Sequence, residues 1–212
     1  MTAFTGFGDG AVEFYDGLAV DNSRAYWTDQ REVYETHVRA PMQALLAALE
    51  PEFGAGKIFR PYRDVRFSKD KTPYKTQCGA TAGPYYVQVG TDGLMVAAGH
   101  YQMAPDQVAR FRAAVDDERR GADLEKRLVA VQAGGITIGG QTLATRPRGV
   151  DPDHPRLELL RHKTLYGWRS WPPDDVLHTA ETLGRVVTTW RALGPLTEWL
   201  ADHVGPSEQP RR

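Results

Sequence analysis

The sequence predicts an α+β fold: a single domain in which an antiparallel sheet is flanked by N-terminal and C-terminal helices. Three observations predict it. Apolar residues recur at helical spacing before residue 54 and again after residue 104, while the middle of the chain alternates with a period of two. The β-type segments are joined by turns too short for a parallel crossover. No repeat and no linker-like stretch divides the chain. Residues 1–204 are therefore expected to form one domain, and 205–212, with little to bury, a mobile tail.

Gly6-Phe-Gly8-Asp-Gly10 lacks the spacing and the preceding strand of a phosphate-binding glycine loop and reads as a flexible lead-in to a helix. Val12, Tyr15, Leu18 and Ala19 make one face of that helix, and Asp21-Asn22-Ser23 supplies the N-cap of the next, which carries Tyr26, Trp27, Tyr34 and Val38. Pro41 suits the first turn of a third helix, with Met42, Leu45, Leu46 and Leu49 on its buried side and Glu50-Pro51 at its end. Gly54-Ala-Gly56-Lys57 is no P-loop, because Ile58 stands where a hydroxyl must hold magnesium.

From Lys57 the pattern turns to β. Thr76–Ala82, Tyr85–Val89 and Leu94–Met103 form a meander, with Thr91-Asp92-Gly93 as a hairpin turn. Pro105 opens a helix with Val108, Phe111, Arg112 and Val115. A polar break at 116–121 leads to another with Leu124, Leu128 and Val131. Ile136–Leu143 reads as a hairpin about Gly139-Gly140. A short helix after Pro155 and an extended piece, Lys163–Trp171, precede a helix with Val176, Leu183, Val187 and Trp190. Gly194-Pro195 is expected to part it from a last helix bearing Leu196, Trp199 and Leu200.

Composition bounds the function. The single cysteine, Cys78, excludes an internal disulfide and a thiolate metal cage. No basic patch followed by an apolar run begins the chain, and no stretch reaches the ~18 apolar residues of a membrane span. The expected compartment is the cytoplasm, with no membrane partner. A formal net charge of −1 disfavours broad nucleic-acid affinity, although a local patch can still hold a phosphate.

Such a patch exists. Arg60–Lys75, RPYRDVRFSKDKTPYK, holds Arg60, Arg63, Arg66, Lys69, Lys71 and Lys75 against Asp64 and Asp70, a local charge of +4 in a slightly acidic chain. Pro61 and Pro73 speak against a plain helix or strand, and Ser-Lys-Asp-Lys-Thr-Pro reads as a polar loop. A short extended piece running into an ordered loop is expected, with Arg63 and Asp64 substantially buried and paired.

The pattern Arg60-x-x-Arg63-Asp64-x-Arg66-Phe67-Ser68-x-Asp70-Lys71-x-x-Tyr74 resembles the signature of an uncharacterised bacterial family, domain of unknown function family 2461. The similarity runs from about Phe4 to Leu200. It takes in Asn22-Ser23-Arg24-Ala25-Tyr26-Trp27, Tyr34 before Pro41, Gly99-x-Tyr101, and His154-Pro155 with Leu159-Leu160 and Lys163. Tyr26-Trp27 departs from a more frequent Trp-Phe, an aromatic exchange. The resemblance implies a bacterial intracellular protein of one domain and brings no activity with it.

The residues therefore carry the functional reading. Arginine forks and lysine point charges in one loop suit a phosphate-bearing small molecule, with Arg60, Arg63, Arg66, Lys71, Tyr74 and Lys75 as ligand-binding candidates. Asp64, Asp70 and His100 are the candidate acid–base groups, His100 for its ordinary pKa near neutrality and its place in a strand that can line a cleft beside the loop. The alternative is a non-catalytic structural or interaction protein in which the motif is an internal ion network. Asp151-x-Asp153-His154 has metal-ligand types but reads as a capped helix start, and no metal site is assigned. The sequence names no cofactor, reaction or oligomeric state.

Overall fold

A computed structural model describes residues 3–66 and 69–209. The fold is α+β, with a six-stranded sheet in the order β1-β2-β3-β4-β6-β5. Its strands are β1 (Gly56–Ile58), β2 (Gln77–Ala82), β3 (Tyr85–Gly90), β4 (Gly93–His100), β5 (Thr137–Gly139) and β6 (Leu165–Trp171). The chain forms two compact units, one reaching as far as Val96 and taking in Ser170–Thr188, the other comprising Ala97–Arg169 and the chain from Thr189 onward.

In the first unit, α1 (Gly10–Val20) and α2 (Arg24–Asp29) precede one long helical run made of α3 (Arg31–Val33), a π-helical turn (Tyr34–Arg39) and α4 (Ala40–Phe53). Ser23 caps α2 by accepting from the Tyr26 N–H. Phe14, Tyr15, Leu18, Trp27, Tyr34, Val38, Met42, Leu45 and Leu49 are all buried, so the aromatic and leucine stripes are core. The expected break before Pro41 does not occur. Proline lacks the N–H that would bond the His37 carbonyl four residues back, and the Gly8 N–H bonds that carbonyl instead at 3.0 Å. Nor does Pro51 end α4, which runs to Phe53 and stops at Gly54, whose φ of +84° suits a residue without a side chain.

The lead-in to α1 is tied down rather than flexible. Phe7 N–H bonds the Leu177 carbonyl at 3.0 Å, and the Gly10 N–H bonds His37 Nδ1 at 3.3 Å. Gly8 lies against the His37 ring so closely that a β-carbon would overlap it.

The strands of this unit pair as a local meander. Gly56↔Ala82 to Ile58↔Ala80 join β1 to β2, and Gln77↔Gly90 to Ala82↔Tyr85 join β2 to β3. Gly83, at φ +56°, supplies the positive dihedral that a two-residue hairpin needs at its first turn position. Val87 and Val89 are buried while Tyr86 and Gln88 are half-buried, the alternation of a sheet with one face on the core.

The second unit contains α5 (Pro105–Asp116), α6 (Glu118–Ala133), α7 (Leu157–Leu160) and the larger part of β6; α8 (Glu181–His203) enters it at Thr189. Asp117 alone parts α5 from α6, capping α6 by accepting from the Arg120 N–H at 2.8 Å. Phe111, Val115, Leu124, Leu128, Trp190, Leu193, Leu196, Trp199 and Leu200 are buried here.

Two expectations fail in this unit. Ile136–Leu143 is not a hairpin: Thr137, Ile138 and Gly139 pair with Trp168, Gly167 and Tyr166, and Thr142 bridges His162. Both arms thus pair with one partner segment. Gly140, at φ +153°, bends the edge where Gly140 and Gln141 face Lys163, Thr164 and Leu165, a bulge rather than a turn. Gly194-Pro195 does not divide α8, because Trp190, Leu193, Leu196, Trp199 and Leu200 form one buried stripe that offsets the roughly 3 kcal/mol cost of an interior proline. In the expected tail, of which 210–212 lie outside the described residues, Arg110 donates to the Val204 and Pro206 carbonyls, Gln107 to the Gly205 carbonyl, and Asp106 accepts from Ser207 and the Glu208 N–H.

Candidate functional site

The charged stretch grows out of β1. Phe59 N–H bonds the Gly79 carbonyl, so the strand continues toward the motif. The two prolines then act as acceptors only: the Arg63 N–H bonds the Pro73 carbonyl and the Lys75 N–H bonds the Pro61 carbonyl, each at 2.8 Å, with Tyr62 opposite Tyr74. The motif is a narrow ribbon with paired ends and an irregular tip. Phe67 and Ser68 of the motif lie outside the described residues.

Tyr74 anchors the ribbon. Its ring stacks on the buried indole of Trp27, and Asn22 clamps its backbone, Oδ1 accepting from the Tyr74 N–H at 2.9 Å and Nδ2 donating to its carbonyl at 3.2 Å. Tyr74 is itself buried.

At the tip the charges pair among themselves. Arg66 grips Asp64 bidentately, Nε to Oδ1 at 2.9 Å and Nη2 to Oδ2 at 2.7 Å. Arg63 pairs with Asp70 and with Thr72 Oγ1, and Asp70 also accepts from the Thr72 N–H and hydroxyl. Lys71 Nζ donates to the Val65 carbonyl at 3.0 Å. Arg63 is half-buried as expected, but Asp64 is exposed, which corrects the expectation of a buried pair: the ribbon's tip has no core to enclose it. The side-chain and backbone bonds from Arg66 lower the Asp64 pKa to about 2, and those from Thr72 lower that of Asp70. Carboxylates so well stabilised are weak bases near neutral pH.

A cleft opens at the ribbon's base, with a volume of about 640 Å³. Arg60, Pro61, Tyr62 and Lys75 line it from the ribbon, Lys57, Ile58 and Phe59 from β1, and Trp27, Arg31, Tyr34, Glu35 and Arg39 from the helices. Residues 27, 31, 35 and 39 repeat every four, so one helical side is presented to the cleft. Glu35 neutralises Arg39, Oε2 to Nη1 at 2.9 Å. Arg31, Lys57, Arg60 and Lys75 have no ion pair among the described residues. The Lys75 pKa is lowered, first by burial and then by the nearby Arg60 guanidinium. Lys75 thus feels a like charge nearby, and neither it nor Arg60 has an ion pair among the described residues.

Of the residues singled out from sequence, Arg60 and Lys75 line the cleft; Arg63, Arg66 and Lys71 are engaged at the tip. Asp64, Asp70 and His100 are not among the residues lining it. His100 belongs to the second unit, its Nδ1 buried without a partner among the described residues and its pKa lowered by burial. Arg31, Arg39 and Lys57 escaped sequence reasoning. The Arg31-x-x-x-Glu35-x-x-x-Arg39 spacing was the available signal, and a charged helix face is usually a solvated one. Beneath the cleft, Cys78 is buried and hydrogen-bonded with Tyr34, its thiol pKa pushed up to about 11 by burial.

Elsewhere, Asp151 and Asp153 make a turn, with the Asp153 N–H on Asp151 Oδ1. His154 accepts from the Arg156 N–H and faces Asp116 at 3.1 Å. No group of three or more potential metal ligands occurs among the described residues. Nor, among them, is any helix long and apolar enough to cross a membrane.

Asn22, Trp27 and the charged stretch from Arg60 to Tyr74 are among the residues on which the family resemblance rests. The family profile described as conserved hypothetical protein (DUF2461) matches residues 10–199. The chain belongs to that family. A comparison with curated proteins finds no match. Membership in DUF2461 carries no reaction, so a functional reading rests on the chemistry of the cleft.

Proposed function

We propose that this DUF2461 member binds an anionic, phosphate-bearing ligand in the cleft at the base of the ribbon. One observation carries the reading: Arg31, Lys57, Arg60 and Lys75 converge on a single concavity, with no carboxylate in an ion pair with any of them among the described residues. Grouped like charges repel, and an anion placed among them relieves that cost while gaining charge-assisted hydrogen bonds. A volume of about 640 Å³ falls within the range of small-molecule sites. The compartment of this reading is the bacterial cytoplasm, supported by the family resemblance.

The test is a thermal-shift and calorimetric titration with pyrophosphate at two salt concentrations. A ligand that binds the folded state alone stabilises it by ~2.7 kcal/mol at a hundredfold excess over Kd. Arg60→Ala and Lys75→Ala should each weaken binding roughly 10- to 100-fold, the worth of a hydrogen bond to a charged group. Arg66→Ala and Lys71→Ala, at the tip, should leave it unchanged. Equal responses from all four variants, or no binding by the wild type, would refute the reading.

The pairing at the tip favours a second reading for that part alone. Arg66 with Asp64, and Arg63 with Asp70 and Thr72, form an ion network that shapes the loop. If the cleft takes no anion, the whole motif is scaffold and the protein is a non-catalytic interaction module.

A further inference from the structure

Among the described residues, Val20, Phe59, Tyr62, Tyr101 and Val129 are the large hydrophobic side chains left exposed. Two of these five, Phe59 and Tyr62, line the same cleft as the unpaired cations. Tyr62 is 50% exposed although Trp27 and Tyr74 stand at centroid distances of 6.1 and 5.3 Å. The ring is therefore braced by aromatics and still open to the cleft. Phe59 is braced likewise, its ring 6.3 Å from that of Tyr86.

Inorganic phosphate has no use for such surfaces, since cations alone would hold it. A ligand with a flat π-face does, because a base laid on an aromatic ring buries both from water, whatever the base. Arg60 and Lys75 flank Tyr62 in the ribbon through the Lys75–Pro61 pairing, so an aromatic platform and two phosphate-binding groups sit on neighbouring positions. The cleft also has room for more than a phosphate.

We infer that the cleft takes a nucleotide, its base against Tyr62 and its phosphates among Arg60, Lys75 and Lys57. This rests on the anion reading and names the class of anion. A single small cleft, rather than an extended basic groove, favours a mononucleotide over a nucleic-acid strand.

Calorimetry with ADP, pyrophosphate and an eight-base oligothymidylate tests it on the full chain, wild type and with Tyr62→Leu or Tyr62→Phe. The wild type should bind ADP about tenfold or more tighter than pyrophosphate, the worth of one stacked base. Tyr62→Leu should remove that preference while leaving pyrophosphate binding intact, and Tyr62→Phe should keep it, the latter also showing that the leucine result is not misfolding. ADP and pyrophosphate binding equally, or an ADP preference untouched by Tyr62→Leu, overturns the nucleotide inference and leaves the anion reading standing. Binding of the oligonucleotide with no binding of ADP overturns it in favour of a single strand. Binding of none of the three overturns both readings.

Discussion

The indole of Trp27 and the ring of Tyr74 lie parallel, 7° apart in plane with centroids separated by 4.5 Å. Through this stack, and through Asn22 on the backbone of Tyr74, helix α2 and its cap fix the charged ribbon to the core. Asn22→Ala removes an acceptor and a donor from backbone groups of a buried residue. A loss of about 1–3 kcal/mol is expected, read as a lower urea midpoint with an unchanged slope.

Asp64→Ala should behave differently. The Asp64–Arg66 pair is bidentate but exposed on both sides, and exposed pairs add little to stability. No measurable shift of the urea midpoint is expected, although the tip should become more susceptible to protease. A drop as large as that of Asn22→Ala would show that the tip is packed.

The Cys78 thiol should be inert. Burial raises its pKa to about 11, two units or so above an ordinary thiol, which lowers the thiolate fraction about a hundredfold. Labelling by a maleimide near pH 8 is expected to run at least ~100-fold slower in the native protein than in urea. Rates within a few-fold of each other would contradict the packing under Tyr34.

His100 gives stability a pH dependence of known sign. Burial lowers its folded pKa below the ordinary 6.5, so as pH falls the unfolded chain takes up the proton first. Between the two values the unfolded state binds more protons, and stability rises with pH. The urea midpoint should therefore fall as pH drops below about 6.5, and His100→Gln should flatten that part of the profile. An unchanged profile in His100→Gln would assign the effect to other groups.

The sequence by itself determined what depends on local pattern. Leu45, Leu46 and Leu49 marked a buried helix face, Val87 and Val89 a buried strand face, and short turns required antiparallel neighbours; the charged motif and its Arg–Asp pairing were equally legible. Each is a property of residues a few positions apart, where period and chain geometry leave little choice.

Tertiary structure decided the rest, because the deciding partner lies far along the chain. Pro41 fails to break its helix since Gly8 satisfies the His37 carbonyl, and Gly139-Gly140 fails to turn since 162–168 offers both arms a partner. Residues 205–208 find hydrogen-bond partners in Asp106, Gln107 and Arg110 of α5, about a hundred positions back. The candidate site moved for the same reason. Within the densest charge in the sequence, Arg63 and Arg66 are neutralised by their own neighbours, Asp70 and Asp64. Arg31 of a helix and Lys57 of a strand, which have no carboxylate partner among the described residues, meet Arg60 and Lys75 at the ribbon's base. Local sequence counts charges, whereas pairing and convergence depend on distances that only folding sets.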